Sequence, residues 1–403
     1  MPSKKHKIKK KTSSPHRTLK VSQIEGLTKI KVVGVGGCGG NIVTRMMMAE
    51  RPRGVEFIAI NTDKQDLDYT LAHKKLYIGK ALTKGLGAGM NPEIGKQAAE
   101  ENRSEIGEAL SDANIVFLAA GMGGGTGTGA TPIIAEIARE KGILTLAVVT
   151  KPFSFEGTQR MNIAQEGLIR LKDKVDSLVV IPNDRIFTII QKDTPLSKAF
   201  AFVDDVLKQA VQAMAELINV PGIINVDFAD IKSILKESGT TLIGIGVASG
   251  QDRAIKAVSA AINSPLLDIS LDGAKGVLFS VAGTKDLKMS EINDIAKAIS
   301  ASLDPSAKVI FGAYYDKSLK DKALKVTVVA TGFNGVFPEK RVTRNLFMVG
   351  EEDKKVKEES IPLIKEAKEE EKPLEEEIFQ ENKKMPKQEP WEIPAFLRKK
   401  KNK

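Results

Sequence analysis

Cysteine is nearly absent: Cys38 is the one cysteine in 403 residues. No intramolecular disulfide and no cysteine zinc cluster can form, which suits a reducing cytoplasm. Histidine is scarce too. Two of the three, His6 and His16, lie near the N-terminus and only His73 lies further in, so a histidine-built metal site is not expected. No apolar run approaches the roughly 20 residues of a membrane-spanning helix. The N-terminus lacks the apolar stretch of a secretory signal. It carries no acid before Glu25, which leaves an organelle transit peptide open, although the amphipathic arginine-rich spacing of one is missing. What remains is ordinary globular composition, 42% hydrophobic and 28% charged, at a length that suits two packed domains plus tails.

The net charge is +10, and its distribution matters more than its size. Eight lysines and arginines stand in the first twenty residues and five in the last six, with no acid in either stretch, so residues 21–397 carry −3 between them. A folded nucleic-acid reader carries its charge on a structured face. Here the basicity sits on the ends, and no specific nucleic-acid partner is expected. A reading as a nucleic-acid or membrane-surface module rests on the tails alone.

Residues 1–25 read as a solvated basic tail. From Lys29, short apolar strands alternate with helical stretches: KIKVVGVG, a helix from Asn41 to Glu50, VEFIAIN, then strands at Asn114–Ala120, Ile143–Thr150 and Ser177–Ile181, with helices near Thr131–Lys141 and Gln159–Lys174 between them. Strands apolar on both faces predict an α/β fold with a parallel, Rossmann-like sheet over 26–196. A long central helix follows from about Ser197 to Asn219, with Phe200, Val203, Leu207, Ala210, Met214 and Leu217 at helical spacing, inside a segment 197–226 that Val220-Pro221-Gly222 closes. A second, α+β domain with a mixed sheet is expected over 227–335, from the strands TLIGIGVA, GVLFSVAG, KVIFGAYY and LKVTVVATG. Residues 345–389 read as a disordered Glu/Lys-rich linker, and 390–403 as a short segment where apolar residues return.

Three glycine-rich loops carry the chemistry. Gly34-Val35-Gly36-Gly37-Cys38-Gly39-Gly40-Asn41 follows the first strand and matches G-x-G-x-x-G, a weak signal that a tight turn explains equally. Gly121-Met122-Gly123-Gly124-Gly125-Thr126-Gly127-Thr128-Gly129 follows NIVFLAA and precedes a helix. So many glycines are entropically costly for a simple turn. They let backbone N–H groups converge on an anion at a helix N-terminus, with Thr126 and Thr128 adding hydroxyls. Lys84-Gly85-Leu86-Gly87-Ala88-Gly89-Met90-Asn91-Pro92 is the third. The chain contains no GxxxxGK[ST], so it is not a P-loop enzyme. A nicotinamide-dependent oxidoreductase, suggested by Gly34–Gly39 and Asp63, remains the rival, but it leaves the second loop unexplained.

GGGTGTG, with GVGGCGGN, INTD, TKGLGAGMNP, TKPFSFEGTQR, IPNDRIF and NVDFAD in order around it, resembles the tubulin/FtsZ superfamily from about Lys29 to Phe333. NVDFAD favours the FtsZ branch, whose bacterial members drive cell division, and WEIPAFLR resembles its C-terminal peptide. The resemblance implies a tubulin/FtsZ-like fold and a GTPase that assembles head to tail into the filaments of a mid-cell division ring. It implies GTP or GDP with Mg2+ as ligands. Gly36, Gly37, Cys38, Gly39, Gly40 and Asn41 would meet the α- and β-phosphates. Gly123, Gly124, Gly125, Thr126, Gly127 and Thr128 would cradle the phosphate tail, and Ala88 and Gly89 would meet the γ-phosphate. Asn61 and Asp63 would line the pocket near phosphate and Mg2+, with no direct protein ligand to the metal assigned. Glu156 and Arg160 would hold the ribose and purine side, although at this spacing they are equally an i,i+4 ion pair. Asn183 and Asp205 would read guanine beside Phe200, with Asp205 equally readable as a solvated helix residue. Cys38 departs from the glycine common in relatives. A thiol at a helix N-terminus has a lowered pKa, so a reactive Cys38 is expected.

Phosphoryl transfer to water needs a group that orients the water. The first domain offers none. Asp227 and Asp230, three residues apart, supply two carboxylates after the long helix, although Asp227 is equally a helix cap. By resemblance, this segment, with Asn225, enters the nucleotide pocket of the next subunit. Trp391, Ile393, Pro394, Phe396, Leu397 and Arg398 would bind membrane tethers and division regulators, making any membrane contact indirect.

Overall fold

Ten strands form the skeleton of the computed structural model. It describes residues 28–333 apart from 50–53, 189, 191–192, 221, 264–270, 272 and 317–318. The expected tail 1–25, linker 345–389 and terminal peptide 390–403, with Trp391, Ile393, Pro394, Phe396, Leu397 and Arg398, lie outside the described residues.

The order is β1 (Ile30–Val35), α1 (Gly36–Met48), β2 (Val55–Asn61), α2 (Lys64–Tyr69), β3 (Lys74–Tyr77), α3 (Lys80–Thr83), α4 (Pro92–Glu101), α5 (Arg103–Leu110), β4 (Ile115–Gly121), α6 (Gly125–Glu140), β5 (Leu144–Lys151), α7 (Thr158–Lys172) and β6 (Ser177–Pro182). Then come α8 (Leu196–Asn219), α9 (Phe228–Leu235), β7 (Gly239–Ser249), α10 (Arg253–Ile262), β8 (Gly276–Gly283), α11 (Met289–Ser300), β9 (Lys308–Tyr315) and β10 (Ala323–Thr331).

The strands lie in the order β3-β2-β1-β4-β5-β6-β7-β10-β8-β9. The first six are parallel. Their side chains alternate between two cores: Val32, Phe57, Phe117 and Leu146 face α1 and α8, while Val33, Ile58, Leu118 and Ala147 face the opposite layer of helices. Burial on both faces is why these strands read as unbroken apolar runs. The second part is mixed, as expected: β10 runs antiparallel to β7 and β8, and β8 pairs parallel with β9. The two parts share one sheet through two register pairs, Ser177↔Gly239 and Leu178↔Thr240.

Two helices start earlier than their apolar pattern indicates. α1 begins at Gly36 rather than Asn41, and α6 at Gly125 rather than Thr131. Glycine is a poor helix former, but here tertiary contact decides. A Cβ on Gly129 would overlap Pro92 O, and one on Gly125 would lie 2.7 Å from Ala88 O and 2.8 Å from Asn91 O. The glycines let α6 lie directly against the start of α4. In α8, Val203, Leu207, Ala210, Met214 and Leu217 are buried as expected, whereas Phe200 is 41% exposed. Among the described residues of the first turn the buried position is Ala199 instead.

Candidate functional site

β1 and β4 are neighbours, so the helices that follow them begin side by side. Neither α1 nor α6 has a side-chain cap or an acid in its own first turn. A Cβ on Gly36, which has φ 69°, would lie 3.2 Å from Gly127 N. Two uncapped helix N-termini thus meet, with their positive dipole ends and first-turn N–H groups together. Such a place attracts an anion.

The glycines divide by purpose. Gly39 backs onto Ala119 O and Gly127 onto Gly121 O, positions where any side chain would clash. Gly123 (φ 102°) lies against Arg160, and Gly40 against the Thr70 hydroxyl. By contrast, nothing lies within 4 Å of where a Cβ on Gly124 or Gly89 would be. These two border open space, and the Gly125 N–H donates to Gly89 O (2.7 Å), tying the second and third loops together. Asn41 is exposed and Ala88 buried beside them.

The hydroxyls divide as well. Thr126 Oγ1 lies 2.6 Å from Thr62 Oγ1, across to the end of β2. Thr128 Oγ1 accepts from Gly123 N–H (2.8 Å) and is buried, so it shapes the loop and does not point into the cradle. Asn61 accepts from the N–H groups of Thr62 (2.8 Å) and Asp63 (3.2 Å) and donates to Asp66 Oδ2 (2.7 Å). Asp63 Oδ1 caps α2 by accepting from Asp66 N–H (3.0 Å).

On the other side, Glu156 and Arg160 form the i,i+4 pair at 3.1 Å, and Glu156 also accepts from Phe153 N–H (2.8 Å). Arg160 Nε and Asn183 Oδ1 are buried without hydrogen-bond partners. A buried orphan donor and acceptor are costly, about 1–3 kcal/mol each, unless a ligand satisfies them. Phe200 meets Phe153 edge-on at 5.4 Å.

Two expectations need correction. Asp205 turns to Lys208 (3.0 Å) and is partly exposed, so it occupies the solvent side of α8. Its neighbour Asp204 is the buried one, facing α1 and paired with Arg45 Nε (3.0 Å). Consecutive helical residues point about 100° apart, so one of the two can face the pocket, and it is Asp204. Burial, partly offset by Arg45, raises its carboxyl above the ordinary range. The other correction concerns Cys38. Cys38 is half-buried, and desolvation of its thiol, then the Asp204 charge, push it up to about 12 despite a bond to Thr150. The helix N-terminus does not make it a reactive thiolate.

Thr62, Asp66 and Asp204 were not singled out from the sequence. Thr62 sits inside the INTD segment, Asp66 follows one turn later, and Asp204 was hidden in an acidic pair whose helical phase the pattern left open.

Asp227 and Asp230 lie elsewhere. The glycine loops are at the C-terminal ends of the parallel strands. α8 starts at that end, runs 24 residues, about 36 Å at 1.5 Å per residue, and finishes with Asn219 Nδ2 3.0 Å from the Cβ position of Gly54, just before β2 begins. The segment beyond it is therefore at the opposite end of the sheet. Asp227 occupies the N-cap of α9 without a side-chain cap bond, so capping does not account for it. Asp227, Asp230 and Asn225 are exposed, with Asn225 Oδ1 accepting from Gly222 N–H (2.6 Å). Among the described residues no group of three or more His, Cys, Asp or Glu side chains could hold a metal ion.

Residues 29–191 match the model of the Tubulin/FtsZ family, GTPase domain, and residues 239–334 that of the FtsZ family, C-terminal domain. The fold is similar to the empty FtsZ dimer of M. jannaschii, with 48% identity and a TM-score of 0.73 over 77% of this chain and 90% of that one. A mutant of FtsZ from the same organism gives 49% and 0.73 over 76% and 92%. CetZ1 from Haloferax volcanii, a GDP-bound monomer, is 22% identical with a TM-score of 0.68 over 77% and 96%, a likeness of fold alone. With the uncapped helix ends, the orphaned pocket atoms and this similarity together, the chain belongs to the FtsZ family of GTPases.

Proposed function

We propose that this protein is a subunit of a GTP-dependent filament that builds a division ring, and that GTP is hydrolysed at a site shared by adjacent subunits. The observation that carries this reading is the placement of Asp227 and Asp230 at the far end of the sheet from the glycine loops, exposed and uncapped. One subunit cannot bring them to its own pocket. A head-to-tail neighbour can, and such a heterologous contact repeats into a filament. The similar FtsZ of M. jannaschii was solved as a dimer, which supports self-association.

The first-turn N–H groups of α1 and α6 hold the phosphates, with Gly124 and Gly89 leaving room for them. Arg160 and Asn183 take up the sugar and base, and Asp204 accepts from the N1–H and N2–H of guanine, a donor pair adenine lacks. Asp227 and Asp230 of the neighbour orient the attacking water and place charge beside it. Asn61 Oδ1 and Asp63 Oδ1 are engaged with backbone N–H groups, so Mg2+ would be carried mainly by phosphate oxygens and water, with the Asp63 carboxylate close by, and would supply charge neutralisation there. The protein is proposed to work in the cytoplasm at mid-cell, tethered to the membrane indirectly through Trp391–Arg398. Light scattering tests the reading: assembly with GTP and none with GDP is expected, and equal signals with both would defeat it.

A further inference from the structure

α2 packs across the first turns of α1, and the two glycines facing it, Gly37 and Gly40, are one turn apart. A Cβ on Gly37 would lie 3.2 Å from Asp66 Oδ2, and one on Gly40 would lie 2.9 Å from the Thr70 hydroxyl. The Asp66 carboxylate therefore sits against the helix end where the phosphates are held. It is fixed there: Oδ2 accepts from Asn61 Nδ2–H (2.7 Å), and its own N–H donates to Asp63 Oδ1 (3.0 Å). Burial, then the nearby Asp63 charge, raise this carboxyl above the usual range, with the Asn61 bond pulling the other way. The surroundings thus already disfavour negative charge before any phosphate arrives.

α1 has no acid in its own first turn. Asp66 brings one from another helix. An anion at a helix N-terminus is stabilised there, but a second anion held close by repels it. A site meant only to hold a nucleotide tightly would not include this charge. A subunit that must shed GDP between cycles benefits from it.

We propose that Asp66 is a standing counter-anion at the phosphate loop that weakens nucleoside di- and triphosphate binding and so hastens release of GDP. The proposal rests on the reading of this pocket as the GTP site. It makes Asp66 an affinity-setting residue and gives it no part in the chemical step.

Asp66→Asn removes the charge and keeps the shape, and its amide oxygen can still accept from Asn61. GDP affinity is measured by titration in EDTA, which removes any contribution of bound metal. The variant is expected to bind GDP tighter, on the order of fivefold at low salt, and GTP tighter still. The difference narrows in part as salt is raised, because Asp66 is half-buried and charges open to solvent are screened over about 10 Å at 0.1 M. Asp68→Asn, exposed on the same helix, leaves affinity unchanged. Asp66→Ala reads the same effect without placing an amide against Gly37, should the asparagine disturb the fold. A purely structural Asp66 would give weaker binding with no salt dependence. Unchanged or weaker GDP binding in the Asp66 variants overturns the proposal. Wild-type protein that fails to bind GDP overturns the pocket reading first.

Discussion

The Thr126 hydroxyl lies 2.6 Å from that of Thr62, which joins the second glycine loop to the strand end that carries Asn61 and Asp63. Position 126 is thus a junction between two walls of the cradle as well as a proposed phosphate contact. Thr126→Arg fills that junction and is expected to abolish GTP binding, read by calorimetry. Thr126→Val removes one hydrogen bond, with about 1 kcal/mol lost in stability. Micromolar GTP binding by the arginine variant would remove this loop from the pocket.

Asp230→Ala is expected to bind GTP normally, form filaments and lose turnover. Mixing it with Thr126→Arg pairs an intact pocket with an intact Asp230. With co-assembly verified by pelleting, GTPase activity above that of either variant alone is expected. Its absence would count against a shared site.

Asp204→Ala is expected to weaken GTP binding tenfold or more and to reduce the preference over ATP, because it removes the buried carboxylate proposed to accept both guanine donors. Asp205→Ala, which loses an exposed pair with Lys208, changes little. The opposite ranking in competition titrations would restore Asp205 as the base reader.

Cys38 is expected to alkylate slowly. With its thiol pushed up to about 12, the reactive thiolate is a small fraction at neutral pH, and the rate should still be climbing tenfold per pH unit near pH 9. An iodoacetamide rate that levels off below pH 8 would show the opposite.

Removing Trp391–Lys403 is expected to spare GTP hydrolysis and assembly and to abolish co-pelleting with vesicles that carry a tether protein. Undiminished co-pelleting would place the attachment elsewhere.

The parallel sheet, the long helix and the mixed second sheet were legible because burial on two faces, helical periodicity and alternation each leave a distinct pattern. The loops were legible as glycine clusters. Which glycine does what was not: Gly125, Gly127 and Gly129 answer to backbone atoms of segments far away in the sequence, and Gly124 to empty space. Asp204 and Asp205 look alike in sequence because the choice between them depends on where α1 lies. For Cys38, the helix end visible in sequence lowers the pKa, but burial and a carboxylate from α8, visible only in three dimensions, raise it further.

The joint between β6 and β7 has a mechanical consequence. Seven register pairs hold β4 to β5, yet two hold the nucleotide-binding half of the sheet to the other half. The two halves are held together mainly by side chains: one hydrophobic core joins Phe57 and Phe117 to Ile243, Leu278 and Val329, and Ser177 Oγ lies 2.6 Å from Thr241 Oγ1. In the proposed filament, a pull on the end of the sheet that carries Asp227 and Asp230 would reach the nucleotide loops along α8, the helix that spans the two ends.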